Sequence, residues 1–189
     1  LWTLKISCLG CLNMLDIKIL ATVVCLFYWL TNQVIYKIHF REKEQEQAES
    51  RKVYKTSAPT RLFKTAVRFL YIVVLVRILG TPFLDISIER TNLILGSVLC
   101  AVGIILLNKS LRALGHNYAP CHAGILPRER IASGPYRIFA HPIYLSNLIL
   151  LAGVWIAIGG FLLGPVWVIF ACFYAISIRD EEKAFKEHF

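Results

Sequence analysis

Charge is scarce in this 189-residue chain: Asp, Glu, Lys and Arg together make 17% of it, while 57% is hydrophobic. Soluble domains carry about 25% charged and about 45–50% apolar residues, so an ordinary soluble globule is excluded. Acidic residues are the scarcer sign, 12 against 21 basic, which leaves a net charge of +9. In a soluble chain that balance would suggest nucleic acid. Here the basic residues flank apolar stretches, where topology and anionic lipid account for them, and no nucleic-acid partner is expected. A disulfide framework is also missing. Cys25, Cys100 and Cys172 lie inside apolar runs, where Cys is a small hydrophobe. Cys8 and Cys11 form a lone C-x-x-C with no second ligand pair and no thioredoxin-like context. No apolar core precedes Leu9-Gly10-Cys11, which excludes a lipoprotein-type signal. His116, Cys121 and His122 lack a fourth ligand for tetrahedral zinc, so no metal is expected.

What the chain has is runs of bilayer length. About 20 mainly apolar residues cross a hydrocarbon core, and the sequence predicts an all-α integral membrane fold of about five transmembrane helices, near 17–36, 62–79, 92–107, 143–158 and 161–178. The chain opens on Leu1 rather than Met, and Met14 is an alternative start. Residues 1–16 are therefore set aside as an N-terminal tail that need not be native, and 17–189 as a single transmembrane domain. Tyr28, Trp29 and Tyr36 suit an interfacial aromatic belt. The stretch from Lys37 to Thr60 interleaves Glu42, Glu44, Glu46 and Glu49 with basic residues and reads as a solvated face. Arg68 and Arg77, near the two ends of the second span, can snorkel to the interfaces. Gly159-Gly160 leaves almost no loop between the last two spans, which should form a tight helical hairpin.

The Lys/Arg distribution orients these spans. Lys37, Arg41, Lys43, Arg51, Lys52, Lys55, Arg61 and Lys64 follow span one, and Lys109, Arg112, Arg128, Arg130 and Arg137 follow span three. The other side offers Arg90, Arg77 and no charge in the 159–160 turn. By the positive-inside rule the N-terminus lies outside and the C-terminus inside. The 108–142 loop and the 179–189 tail then share the cytoplasmic face, in a bacterial inner membrane or the endoplasmic reticulum.

Those two segments hold the residues suited to chemistry. Gly134-Pro135 makes a sharp turn before Tyr136. Pro142 suits the first turn of span four, which puts His141 at a helix N-terminus where an anion is favoured. Glu181 and Glu182 return one hairpin later. A polar pocket at a membrane surface suits a lipid or lipidated substrate.

The string Gly134-Pro135-Tyr136, His141-Pro142-Ile143-Tyr144 and Glu181-Glu182, with Arg130-Ile131 before it and His188-Phe189 after it, resembles the isoprenylcysteine carboxyl methyltransferase and phospholipid methyltransferase superfamily. The likeness covers roughly residues 92 to 189, and Leu114-Gly115-His116-Asn117-Tyr118 looks like the opening of that family's loop. It implies a small integral-membrane methyltransferase that uses S-adenosylmethionine and a lipid-like or small hydrophobic acceptor. It also implies a cofactor pocket of Ile131, Tyr136, His141, Pro142, Ile143 and Tyr144, closed by Glu181 from the tail. Arg128 aligns with a position often polar in the family and joins that set, and Cys121 falls near another cofactor contact. Glu181 would stand near the donor's cationic sulfur and Arg179 near a substrate carboxylate.

Three positions depart from the pattern. Ala140 replaces the arginine usual before His-Pro, Ser177 stands where the isoprenylcysteine enzymes carry a substrate-binding arginine, and the family's final glycine is absent after Phe189. They leave the acceptor atom (oxygen, nitrogen or sulfur) and the oligomeric state open. They also keep two other readings in view. One is an NADPH-dependent sterol or steroid reductase, which shares the G-P-Y…H-P-x-Y string. The other is a non-catalytic membrane protein of the same fold.

Overall fold

The computed structural model describes residues 14–41, 55–84, 87–118 and 130–188. Arg128, Cys121, His122, the Cys8–Cys11 pair, Glu42 to Glu49 and Phe189 lie outside the described residues, as do the side chains of Arg68 and His116. Five α-helices carry the described part of the chain: α1 Met14–Arg41, α2 Ala58–Gly80, α3 Arg90–Leu114, α4 Pro142–Ile158 and α5 Leu163–His188. Short 3-10 turns follow α2 (Thr81–Phe83), follow α3 (Gly115–Asn117) and precede α4 (Gly134–Arg137). By length and apolar composition, Met14–His39, Arg90–Leu114 and Leu163–Glu187 can cross a membrane, while Phe69–Phe83 and Pro142–Ile158 are shorter apolar helices. Large apolar side chains such as Phe27, Phe69, Ile94 and Val168 face outward, as they would toward lipid.

Local chemistry sets the helix ends. Ser57 caps α2 with its side chain and Pro59 follows inside the first turn. The α4 helix starts at Pro142 and stops at Gly159, whose φ of +62° takes the chain out of the helix. Gly160, at φ +96°, completes the turn into α5.

Small residues bring α3 and α4 into backbone contact. A Cβ on Gly96 would lie 2.5 Å from the Gly153 carbonyl oxygen, and one on Gly153 would lie 2.7 Å from Cys100 Sγ. Further along, a Cβ on Gly103 would lie 3.0 Å from the Ser146 carbonyl oxygen. This is the small-residue packing typical of helices in lipid, where close approach supplies the van der Waals contact. The pairing fixes α4 antiparallel to α3. The α2 start meets the α5 end, and Lys18 on α1 donates to the Leu84 carbonyl at 2.7 Å.

Four features differ from the sequence reading. The third helix runs beyond 107, through Asn108-Lys109-Ser110, to Leu114. The 179–188 segment is not a separate tail, because α5 is one helix from Leu163 to His188. Arg179 through Glu187 contains good helix formers and no Gly or Pro, so nothing stops the helix at the end of the apolar stretch. Arg77 does not snorkel: it is 6% exposed and donates to the Ile158 and Gly159 carbonyls, each at 3.1 Å, and to Thr81 at 2.9 Å. A cation there satisfies the last carbonyls of α4 and complements its dipole. Tyr36 is not a belt residue facing lipid, since its hydroxyl accepts a 2.7 Å hydrogen bond from Asn147.

Candidate functional site

The turn before α4 is shaped by Gly134, whose φ is +57° and whose Cβ, if present, would lie 3.3 Å from that of Ala113 at the end of α3. Tyr136 N–H donates to Ser133 O at 3.2 Å and Phe139 N–H to Pro135 O at 3.0 Å, closing one tight loop. That loop delivers His141 to the N-cap position of α4, which has no side-chain capping hydrogen bond among the described residues. Pro142, Ile143 and Tyr144 are buried in the first turn.

Across from this turn stands the charged end of α5. Tyr144 donates its hydroxyl to Glu181 Oε1, and His141 Nδ1 lies 3.5 Å from Glu181 Oε2. His141 Nε2 is 3.3 Å from Glu182 Oε1, which also accepts a 2.9 Å bond from Arg130. The His141 ring stacks on Tyr144 at 5.5 Å, and Tyr144 stacks on Tyr174 at 4.9 Å, with interplanar angles of 4° and 5°. Phe170 continues the column at 6.0 Å from Tyr174. A carboxylate thus sits at one end of a row of aromatic faces.

The electrostatics of that carboxylate are unusual. Burial pushes Glu181 up to about 7, with the nearby Glu182 and Asp180 adding to the rise and the Tyr144 hydroxyl opposing it. Burial also lowers His141, against the pull of Glu182, so the ring beside Glu181 favours its neutral form. Tyr136 is raised by burial and then by the charge of Glu181, which places its phenol within electrostatic reach of that carboxylate. Glu181 therefore stands in a poorly solvated position, with Tyr144 and neutral His141 as its contacts among the described residues.

Asp180 has a different task. Its Oδ2 accepts the Ser57 backbone N–H at 2.9 Å and the Thr60 hydroxyl at 2.8 Å. Burial alone would raise its carboxyl, but these hydrogen bonds hold it below the usual range. An anion at the N-terminus of α2 also complements that helix dipole. The contact pins the end of α5 to the start of α2, which fixes the height at which Glu181 and Glu182 meet His141.

Of the residues named from the sequence, His141, Tyr144 and Glu181 come into contact, with Tyr136 nearby. Pro142 shapes the helix start, and Ile143 packs into the core. Ile131 is half-buried, with no polar role of its own. Arg179 is exposed and does not join the cluster; it lies two helical steps from Glu181, about 200° of rotation. Among the described residues the arginine that reaches the cluster is Arg130, whose guanidinium also lies 5.8 Å from the Phe185 ring centroid. Its basic charge next to Ile131 was the only sequence signal for that role. Tyr174 was missed altogether, although it lies seven residues before Glu181, about two turns along the same helix face.

A family model described as phospholipid methyltransferase matches residues 91–189, more than half of the chain. No curated protein matches. The chain belongs to the phospholipid methyltransferase family, and with its long apolar helices it is an integral membrane protein of a methyltransferase family.

Proposed function

We propose, with membership in that family as the premise, that this chain moves a methyl group from S-adenosylmethionine to a lipid-like or small hydrophobic acceptor. The observation that carries the reading is the largely buried Glu181 carboxylate, set against neutral His141 and Tyr144 at the end of an aromatic column. Among the described residues no Lys or Arg pairs with Glu181; a largely buried anion without a cationic partner is strongly disfavoured, and a cationic ligand is the natural complement. The donor set fits that ligand.

When bound, S-adenosylmethionine supplies an electrophilic methyl group on a positively charged sulfur. Glu181 would hold the charge, and the faces of Tyr144 and Tyr174 tolerate a cation. His141 and the uncapped start of α4 suit the donor's carboxylate. Tyr136, Pro142 and Ile143 would shape the walls, with Ile131 and Arg128 assigned to the same pocket from the family pattern. The protein needs no attacking side chain. Its contribution is placement and exclusion of water.

The substrate side of the site departs from the isoprenylcysteine pattern, and oxygen, nitrogen and sulfur acceptors stay open. Ser177, at the position of their carboxylate-binding arginine, is fully buried with its Oγ unpartnered among the described residues, and Arg179 is exposed away from Glu181. This argues against a carboxylate acceptor held by arginine. The family found is one of methyltransferases, which does not favour the reductase reading. We place the pocket on the cytoplasmic face of a five-span domain, from the Lys/Arg asymmetry.

The test is equilibrium binding of isotope-labelled S-adenosylmethionine to detergent-solubilised protein, run beside NADPH. The methyl donor should bind and NADPH should not. His141→Ala should weaken binding roughly tenfold or more, the worth of a hydrogen bond to a charged group. An unchanged dissociation constant in a folded His141→Ala protein would remove His141 from the site.

A further inference from the structure

A cleft lies within the helix bundle, apart from the His141–Glu181 cluster. It encloses about 430 Å³, counting the part open at its mouth, and runs between α1, α2, α4 and α5. Val74, Leu150, Val154 and Phe170 make its walls apolar. Three polar side chains also line it: Trp29, Asn32 and Asn147. Among the described residues each has a buried polar atom with no hydrogen-bond partner: the Trp29 indole N–H, Asn32 Oδ1 and Asn147 Oδ1. Asn32 is only 3% exposed.

Such atoms are seldom left bare, because a buried polar group without a partner loses its hydration for nothing. Three of them in one apolar cleft describe the ligand they lack. Two carbonyl oxygens call for hydrogen-bond donors and one indole N–H calls for an acceptor. A carboxylate or phosphate would turn its oxygens toward two oxygens of like partial charge. A hydroxyl can donate to one amide oxygen and accept from the indole, while an alkyl chain fills the space toward Val154. We infer that this cleft binds an uncharged amphiphile whose polar group both donates and accepts hydrogen bonds, an alcohol being the simplest. The apolar walls at bilayer depth favour a ligand dissolved in the membrane. Tyr174, which lines the cleft and also stacks on Tyr144, joins it to the His141–Glu181 cluster.

The inference goes beyond methyl transfer and is tested separately from it. The full chain is placed in lipid nanodiscs with tritiated 1-dodecanol, and displacement is measured with unlabelled 1-dodecanol, its methyl ether and dodecanoate at pH 8. The alcohol should displace at least about tenfold better than the ether or the carboxylate, since each leaves buried partners unsatisfied. Asn32→Leu should weaken alcohol binding at least about fivefold and leave binding of labelled S-adenosylmethionine unchanged. Should that variant not fold, Val154→Trp fills the apolar end and should abolish displaceable binding. Equal displacement by all three probes, or no displaceable binding to the wild type, overturns the inference. Wild-type protein that selects the alcohol but binds no S-adenosylmethionine would refute the methyltransferase reading and leave the cleft assignment standing.

Discussion

Replacing Glu181 by glutamine should make the protein more stable and less able to bind its methyl donor, and the two effects can be read apart. The folded protein holds the Glu181 proton up to about 7, against an ordinary value of 4.5. Between those pH values the folded chain binds more protons than the unfolded one. The associated stability is therefore complete below about pH 4.5 and is lost as pH rises through about 7. At 1.36 kcal/mol per pKa unit the difference amounts to roughly 3 kcal/mol as an upper figure. Glutamine keeps the shape, can still accept from Tyr144, and does not titrate. Thermal unfolding of ligand-free protein in detergent should fall between pH 5 and pH 8 for the wild type and stay nearly flat for Glu181→Gln, which should be the more stable at pH 8. Donor affinity should move the other way. It should decline in the wild type as pH falls below 7, and Glu181→Gln should lose at least about tenfold at pH 8, since a hydrogen-bonded charge is worth about 1.5–3 kcal/mol. Glu187→Gln, on the exposed end of α5, is the control and should change neither property. A Glu181→Gln protein that is less stable at pH 8, or whose binding changes no more than the control's, would refute the reasoning.

Three other outcomes follow from the fold. Asp180→Asn should weaken the junction of α2 and α5 by about 1.5–3 kcal/mol, read as a lower unfolding temperature at pH 7 that a second change, Thr60→Val, does not lower by the same amount again. Gly153→Val puts a Cβ 2.7 Å from the Gly96 carbonyl oxygen; it should destabilise the α3–α4 pair by about 1–3 kcal/mol, seen as loss of the monodisperse peak in detergent chromatography. For topology, a cysteine label at the 159–160 turn should be shielded from cytoplasmic reagents, while labels at Ser50 and after Phe189 should react; Ser50 and the C-terminus on opposite sides would refute the five-span arrangement.

Helices were easy to read because lipid demands long apolar segments and leaves little else to choose. The limits of α4 were legible to a residue or so, since Pro142 and Gly159 punctuate both ends. The ends of α3 and α5 were not. Lys109, Arg112 and the charged run from Arg179 end the hydrophobic signal without ending the helix, because Lys, Arg and Glu are good helix formers. His141, Tyr144 and Glu181 were found together because their spacing follows a family pattern. Their partners were hidden for a physical reason. Arg130, Tyr174 and the Asp180 link to Ser57 and Thr60 depend on which helix packs beside which, and no local pattern records that. Arg77 was misjudged because an arginine near a span end usually reaches water, whereas this one finds the bare carbonyls of a neighbouring helix first.

The unbroken α5 has a mechanical consequence. From Leu163 to Glu181 a helix rises about 27 Å at 1.5 Å per residue, close to the roughly 30 Å of bilayer hydrocarbon. If Leu163 marks one face of the bilayer, one stiff rod would be both the keel in the membrane and the mast that carries the carboxylate at the waterline. A thicker or thinner bilayer tilts such a rod rather than stretching it. Any tilt would slide Glu181 past His141, which rides on a different helix. Bilayer thickness would then bear on the geometry of the site, with the tie from Asp180 to the start of α2 as the stay that limits the movement.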